Sequence, residues 1–321
     1  MKNKITRRDF IGKSAFCAGL INLDVKTDSE VEPLTSSKIL DNEVPKRRLG
    51  KTNKMISCIG FGGSGSRFST LLDNESIAEG VIEYAIKLGI TYFDSSKLGS
   101  AKSEKRYGRY LTPKYRDKIF LCAKTEIRTY DGVMEEFDAT IKNLNTDYLD
   151  LYVMMAVDLV KDVNTLASPS GGYKAFQKLK SQGVIKHIGF SFHKWNDASK
   201  RMLNGFDEIE ACLCAMNAAR QTGAEEMLPL AKQKDIGVIA IKSTGQNALI
   251  GNVTGADLCH YALSLPVTAV DIGVDGYATL ESCARIAHEP PLTTAQMDEI
   301  HKRLAFDPTK VRLPYYQGNG Y

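Results

Sequence analysis

From Ile56 onward, short apolar runs alternate with longer stretches of helical period. The runs are ISCIGFG from residue 56, TYFD from 91, IFLCAK from 119, YLDLYVM from 148, HIGFS from 187, EACLCAM from 210, GVIAIK from 237 and TAVDIG from 268, and each reads as a strand. Between them lie amphipathic patterns. ESIAEGVIEYAIKLG from 75 places Ile77, Val81, Tyr84, Ala85 and Leu88 on one face. Similar stripes run through GVMEEFDATIKNL from 132, GGYKAFQKLKSQG from 171, AEEMLPLAKQKD from 224 and GADLCHYALSL from 255. Gly89, Gly183 and Gly205 fall where helices should stop. Eight strands, each followed by a helix, within roughly 230 residues predict an α/β fold, the (β/α)8 or TIM barrel. A doubly wound open sheet is the alternative, but no G-x-G-x-x-G opens the first helix as that fold requires.

Composition fits a globular chain: 321 residues, 43% hydrophobic and 25% charged. The net charge of +4 is spread out, and the densest basic stretch, PKRRLGKTNK from 45, lacks interleaved aromatics, so a nucleic-acid partner is not expected. No apolar run approaches the roughly 18 residues of a membrane span, so no integral membrane segment is expected. The first residues need separate treatment. MKNKITRRDFIGKSAFCAGLIN, with Arg7-Arg8 followed by Phe10-Ile11 and a weakly apolar run, resembles a twin-arginine export signal. Residues 1–22 are read as that signal, 23–45 as a polar, acidic linker, 46–305 as the barrel and 306–321 as a tail, in which RLPYYQGNGY either covers the barrel mouth or hangs free. A periplasmic or otherwise exported location follows, with a cytoplasmic one as the alternative. The seven cysteines contain no C-x-x-C pair, so no metal site is expected, and Cys58, Cys122, Cys212 and Cys214 lie in apolar runs as small core residues.

A barrel places its chemistry at the C-terminal ends of its strands. Here those ends carry Gly62-Gly63-Ser64, Asp94, Lys124, Met155, Ser191 with His193, Met216-Asn217, Lys242-Ser243 and Gly273. Asp94 and Lys124, of opposite charge on neighbouring strands, point into one mouth, and burying two ions without purpose is costly.

At these residues the chain resembles the aldo/keto reductases, including members that carry an export signal. RRLGKTNKMISCIGFGG is similar to the family's amino-terminal β-hairpin and first strand. YFDSS with KSEKRYG, LCAK, LNTDYLDLY, GVIKHIGFSFH, LPLAKQKDIGVIAIK and YALSLPVTAVDIGVDG resemble its later segments, over residues 46–304. The resemblance implies carbonyl reduction of a small-molecule substrate with NADP or NAD, a tyrosine as general acid, a lysine and an aspartate that lower its pKa, and a substrate-orienting histidine. Asp94 and Lys124 occupy two of these four positions. The tyrosine position falls one residue short, at Leu98 before Gly99, and the histidine position falls at Met155, so this is a degenerate active site in which neither replacement carries a transferable proton.

The implied cofactor positions are also altered. The serine and asparagine that hold the carboxamide correspond to Ser191 and Phe192, the sixth-strand glutamine to Leu213, the stacking aromatic to Met216, and the basic partner of the 2'-phosphate to Asp275. An anion at that last position disfavours NADPH relative to NADH or to no dinucleotide at all. Backbone at Gly60, Gly62, Gly63 and Gly273 remains. His193 is the leading replacement acid, or else a loop histidine capping the next helix. Lys97 either reaches the mouth or is a solvated surface lysine. Tyr107 and Tyr110 are read as helix packing. Lys242 either binds an anionic ligand group or answers a neighbouring acid, and Asn217 and Arg220 either contact a polyol or cofactor phosphate or make ordinary loop hydrogen bonds. Three functions follow from this reading: a nicotinamide-linked oxidoreductase with a rearranged acid, a catalytically inactive barrel that binds a small molecule, or a non-redox lyase or isomerase using Lys124, Asp94 and His193.

Overall fold

The computed structural model describes residues 43–63, 68, 74–95, 97, 101–219, 224–304 and 313. The expected export signal, nearly all of the linker and of the tail, Ser64, Leu98, Gly99 and Arg220 lie outside the described residues.

A two-stranded antiparallel hairpin, β1 (Lys46–Arg48) and β2 (Met55–Ser57), precedes eight parallel strands that close on themselves. These are β3 (Ile59–Gly62), β4 (Tyr92–Asp94), β5 (Phe120–Thr125), β6 (Leu149–Met154), β7 (Ile185–Phe192), β8 (Ile209–Ala215), β9 (Gly237–Ile241) and β10 (Ala269–Gly273). The single apolar run at 56–62 divides at Cys58 between the hairpin and the barrel, whose strands run in chain order until β10 pairs with β3. The (β/α)8 architecture expected from the strand and helix period is therefore the observed one.

Alternation along the strands sorts the core into two shells. Tyr92, Phe120, Cys122, Leu151, Val153, Ala211, Leu213, Ile239, Ile241 and Ala269 fill the interior together with Leu49 and Ile56 of the hairpin. The hairpin thus plugs the N-terminal end. Leu49 packs so closely on Gly237 that a Cβ there would lie 2.4 Å from Leu49 Cδ1. Phe61, Phe93, Leu121, Ala123, Tyr152, Phe190, Cys212, Val238 and Val270 face outward into a larger shell shared with the helices.

The helix Glu75–Lys87 buries Val81 and Ala85, with Leu88 buried just past its end and Tyr84 packed on the core, as expected; Ala78 and Ile82 join that face, and Ile77 alone of the expected stripe is exposed, at 38%. Asn74 caps the helix by accepting hydrogen bonds from Ser76 N and Ile77 N. Gly89 and Gly183 take left-handed φ values of 78° and 74° just past their helices. Gly205 closes its helix without a left-handed turn. Cys58, Cys122, Cys212, Cys214, Cys259 and Cys283 are all buried thiols. No described helix is long and apolar enough to cross a membrane.

Candidate active site

β4 and β5 lie side by side with Gly62, Asp94 and Cys122 in register across β3, β4 and β5. Lys124 stands one inward position beyond Cys122, and its ammonium Nζ donates to Asp94 Oδ2 in a close ion pair. Both side chains are buried, at 6% and 0% exposure, so the pair is not a surface contact of negligible value. Burial alone would lower the Lys124 pKa, but the Asp94 carboxylate and, less strongly, Cys122 and Asp271 outweigh it and hold the ammonium above its usual range. Among the described residues no group of histidine, cysteine, aspartate and glutamate is arranged to hold a metal.

A third ionisable group completes this cluster. Asp271, on β10 beside Gly60 of β3, points inward between Val270 and Ile272, which face the outer shell. Gly60 and Gly62 are the inward residues of β3, and neither has a side chain to separate β10 from β4. A Cβ on Gly62 would lie 3.0 and 3.1 Å from the two Asp271 carboxyl oxygens, and one on Gly60 would lie 2.3 Å from the Tyr92 ring. Gly62 is in register with Asp94, so the gap leaves the Asp271 carboxyl facing Asp94 across β3 with no side chain between them. Burial first, and the Asp94 charge second, push the Asp271 carboxyl well above the usual carboxylate range. Tyr92 beneath it is shifted upward for the same two reasons. Sequence reasoning took TAVDIG only as a strand. The available signal was an acid at an inward position of an apolar run, facing two glycines spaced one residue apart.

The remaining candidates ring this cluster. Lys242, just beyond β9, adopts a left-handed φ of 59°, unusual for a residue with a side chain. Its carbonyl accepts from Asn217 Nδ2 at 3.2 Å and Gly245 N at 2.8 Å, which holds the bend. Burial first, and then repulsion from Lys124, lower its ammonium pKa, and among the described residues the ammonium has no hydrogen-bond or ion-pair partner. Asn217 uses its amide oxygen to accept from Ala219 N, so it acts as a loop brace. Ser191 Oγ accepts from Ala156 N at 2.9 Å, and its hydroxyl proton has no acceptor among the described residues. Gly63 N donates to Asp94 O at 2.8 Å, and Gly273 pairs with Gly62 at the strand ends.

His193 follows β7, where its Nδ1 meets Asp158 Oδ2 at 2.8 Å while its backbone N–H donates to Asp158 Oδ1 at 2.6 Å. Burial alone would raise the Asp158 pKa, but the hydrogen bonds from His193 outweigh it and keep the carboxyl below its usual range. Asp158 lies on the loop after β6 that also carries Met155, so His193 is joined to that loop. The structure brings Asp94, Lys124 and Lys242 together around Asp271, and His193 forms a separate pair with Asp158. Lys97 donates to the Glu136 carbonyl at 3.0 Å and pairs with the Glu136 carboxylate at 3.8 Å, which ties it to the helix Tyr130–Leu144. Thr279 donates to Asp275, an ordinary first-turn contact of the helix Tyr277–Ile286.

The KSEKRYG segment is structural in its details. Its helix starts at Lys102 after Ala101 at φ 58°, and Glu104 turns inward to accept from Thr140 Oγ1 at 3.1 Å and Asn143 Nδ2 at 2.8 Å. Tyr107 opens a π-helical turn, Tyr107–Leu111, and its hydroxyl donates to Phe61 O at 3.1 Å with Asp94 O at 3.4 Å. The expectation of helix packing holds for its ring, which contacts Phe61, Phe68 and Phe93. The phenol also secures the backbone of the site.

Comparison with known proteins agrees with the fold. The sequence pattern of the Aldo/keto reductase family matches residues 58–297. An NADPH-dependent alpha-keto amide reductase from Saccharomyces cerevisiae is 32% identical over 44% of this chain and 47% of its own length. L-galactose dehydrogenase from Arabidopsis thaliana is 26% identical over 62% of this chain and 65% of its own length, and methylglyoxal reductase YeaE from Escherichia coli is 28% identical over 63% and 73%. The chain thus spans about half to two-thirds of the first two relatives. The aldo-keto reductase AKR11C1 from Bacillus halodurans, in its holo form, superposes with a TM-score of 0.68 at 20% identity, over 86% of this chain and 99% of that one. The barrel, the inward Asp94–Lys124 pair and a family match over three-quarters of the length place this chain in the aldo/keto reductase family.

Proposed function

We propose that this chain is a nicotinamide-linked oxidoreductase that interconverts a carbonyl and an alcohol on a small polar or sugar-like molecule, in a site where the family's tyrosine and histidine are replaced by Leu98 and Met155. The observation that carries the reading is the retained, buried Lys124–Asp94 pair, an ammonium held charged where a substrate oxygen would develop negative charge. The named activities of the relatives, on keto amides, L-galactose and methylglyoxal, all concern small oxygenated molecules. Loss of the positioned tyrosine predicts slow turnover, since removing a general acid typically costs about 100-fold to 10,000-fold.

A dinucleotide fits the residues at the mouth. The Ser191 hydroxyl has a proton to donate to a carboxamide, the Lys242 ammonium, which has no partner among the described residues, suits a phosphate, and the backbone at Gly62, Gly63 and Gly273 permits close approach. When bound, the dinucleotide supplies or receives the hydride. Lys124 and Asp94 set the field at the substrate oxygen, while the loop joined through Asp158 and His193 shapes the wall. The Arg7-Arg8 start supports export of the folded, loaded protein.

Fluorescence titration of the purified full chain tests this reading. NADH should bind more tightly than NADPH, because Asp275 would repel the extra phosphate, and Asp275→Arg should reverse the order. Absence of any change with either dinucleotide would overturn the reading and favour a silent binding barrel. Substrate conversion without a dinucleotide, abolished by Lys124→Met, would instead assign a lyase or isomerase.

A further inference from the structure

We propose that Asp271 and Asp94 form a carboxyl pair sharing one proton, and that this pair is the proton reserve that replenishes Lys124 in place of the missing tyrosine chemistry. The functional half of the proposal rests on the oxidoreductase reading above. The shared proton itself does not.

The geometry comes from three strands. Asp271 reaches across β3 because Gly60 and Gly62 leave no side chain in the way. Its Oδ1 is fully enclosed and accepts from no donor among the described residues. A carboxylate oxygen buried in this manner is costly, whereas a proton held between two carboxyl oxygens removes the cost and the like-charge repulsion together. The surrounding charges are consistent with one proton rather than none or two. Lys124 on β5 engages Asp94 Oδ2 and favours one anion, while Lys242 beyond β9 contributes a weaker positive influence. The other titratable groups facing the pair are Tyr92, Cys122 and Tyr107, each shifted upward by burial and therefore neutral. The upward shift of Asp271 agrees with this count.

In the reductive direction, hydride reaches the carbonyl carbon and the C=O π pair moves onto oxygen. A Lys124 Nζ–H bond breaks as the product O–H forms. The shared proton then passes from the pair to Lys124 Nζ, which restores the ammonium and leaves both carboxyls ionised. Solvent returns the proton through the mouth. Every charge is balanced, and the dinucleotide is the only redox partner. Asp271 touches neither substrate nor hydride donor in this scheme and is a positioning residue.

Infrared difference spectroscopy of the full chain carrying 13C-carboxyl aspartate tests the shared proton without dinucleotide or substrate. A protonated-carboxyl stretch should be present at neutral pH, disappear in alkali, and be lost in Asp271→Asn, a variant that keeps the shape and a hydrogen-bond donor but has no proton to give up. Asp275→Asn should leave the band intact. Absence of the band in the unaltered protein, or its survival in Asp271→Asn, would overturn the proposal, whatever the dinucleotide titration shows. Turnover should fall with the alkaline midpoint at which the band is lost. Asp271→Asn should abolish that pH dependence, and Asp271→Glu should restore it. A profile that Asp271→Asn leaves unmoved would refute the reserve role.

Discussion

Asp271 is the residue whose environment differs most from what its sequence context suggests. Burial and the Asp94 charge hold its carboxyl pKa in the fold above the value of about 3.9 it has in the unfolded chain. The native state therefore binds more protons than the unfolded state above that pH. Stability contributed by this group is full below the unfolded pKa and declines as pH rises toward the elevated folded one, by about 1.4 kcal/mol per pH unit for an isolated group. Asp271→Asn removes the decline. Denaturant unfolding at pH 5 and pH 8 should show the variant gaining on the unaltered protein as pH rises, and an equal difference at both values would contradict the assignment. Asp94 and Lys124 were legible in the sequence because each ends a recognisable strand. Asp271 was not, because a single acid inside an apolar run reveals its importance only when its register against Gly60 and Gly62 is known.

The element that most tightly determines the geometry of the site is the π-helical turn Tyr107–Leu111. It sets the Tyr107 hydroxyl against the Phe61 and Asp94 carbonyls at the top of β3 and β4, and a Cβ on Gly63 would meet that hydroxyl at 2.5 Å. Tyr107→Phe should cost about 0.5–1.5 kcal/mol through the lost hydrogen bond, since Gly63 N still donates to both carbonyls. Thermal unfolding checks it: a lowered Tm with the fold retained is expected, and an unchanged Tm would show that the phenol secures nothing. Helical period predicted that this segment is a helix and that its aromatics pack. It carried no sign of the extra residue in the turn, since π geometry arises from tertiary contacts rather than from propensity. The same limit applies to Ile77, which fits the apolar stripe of its helix by period but lies at the helix start and is exposed.

At the scale of the molecule, the barrel was legible because eight inward and outward alternations and their intervening helices repeat with one rhythm, and because the hairpin supplies Leu49 and Ile56 to close one end. The mouth was less legible, because it is assembled from single residues at the ends of different strands. The central claim is that a site without the usual tyrosine and histidine still transfers hydride. The most direct measurement is a single turnover with NADH deuterated at the transferring C4 position and a panel of small carbonyl compounds, including methylglyoxal, followed by mass spectrometry of the products. Deuterium on the new carbinol carbon, lost in Lys124→Met, is the predicted result. A dinucleotide that binds but leaves the whole panel unlabelled would contradict the account.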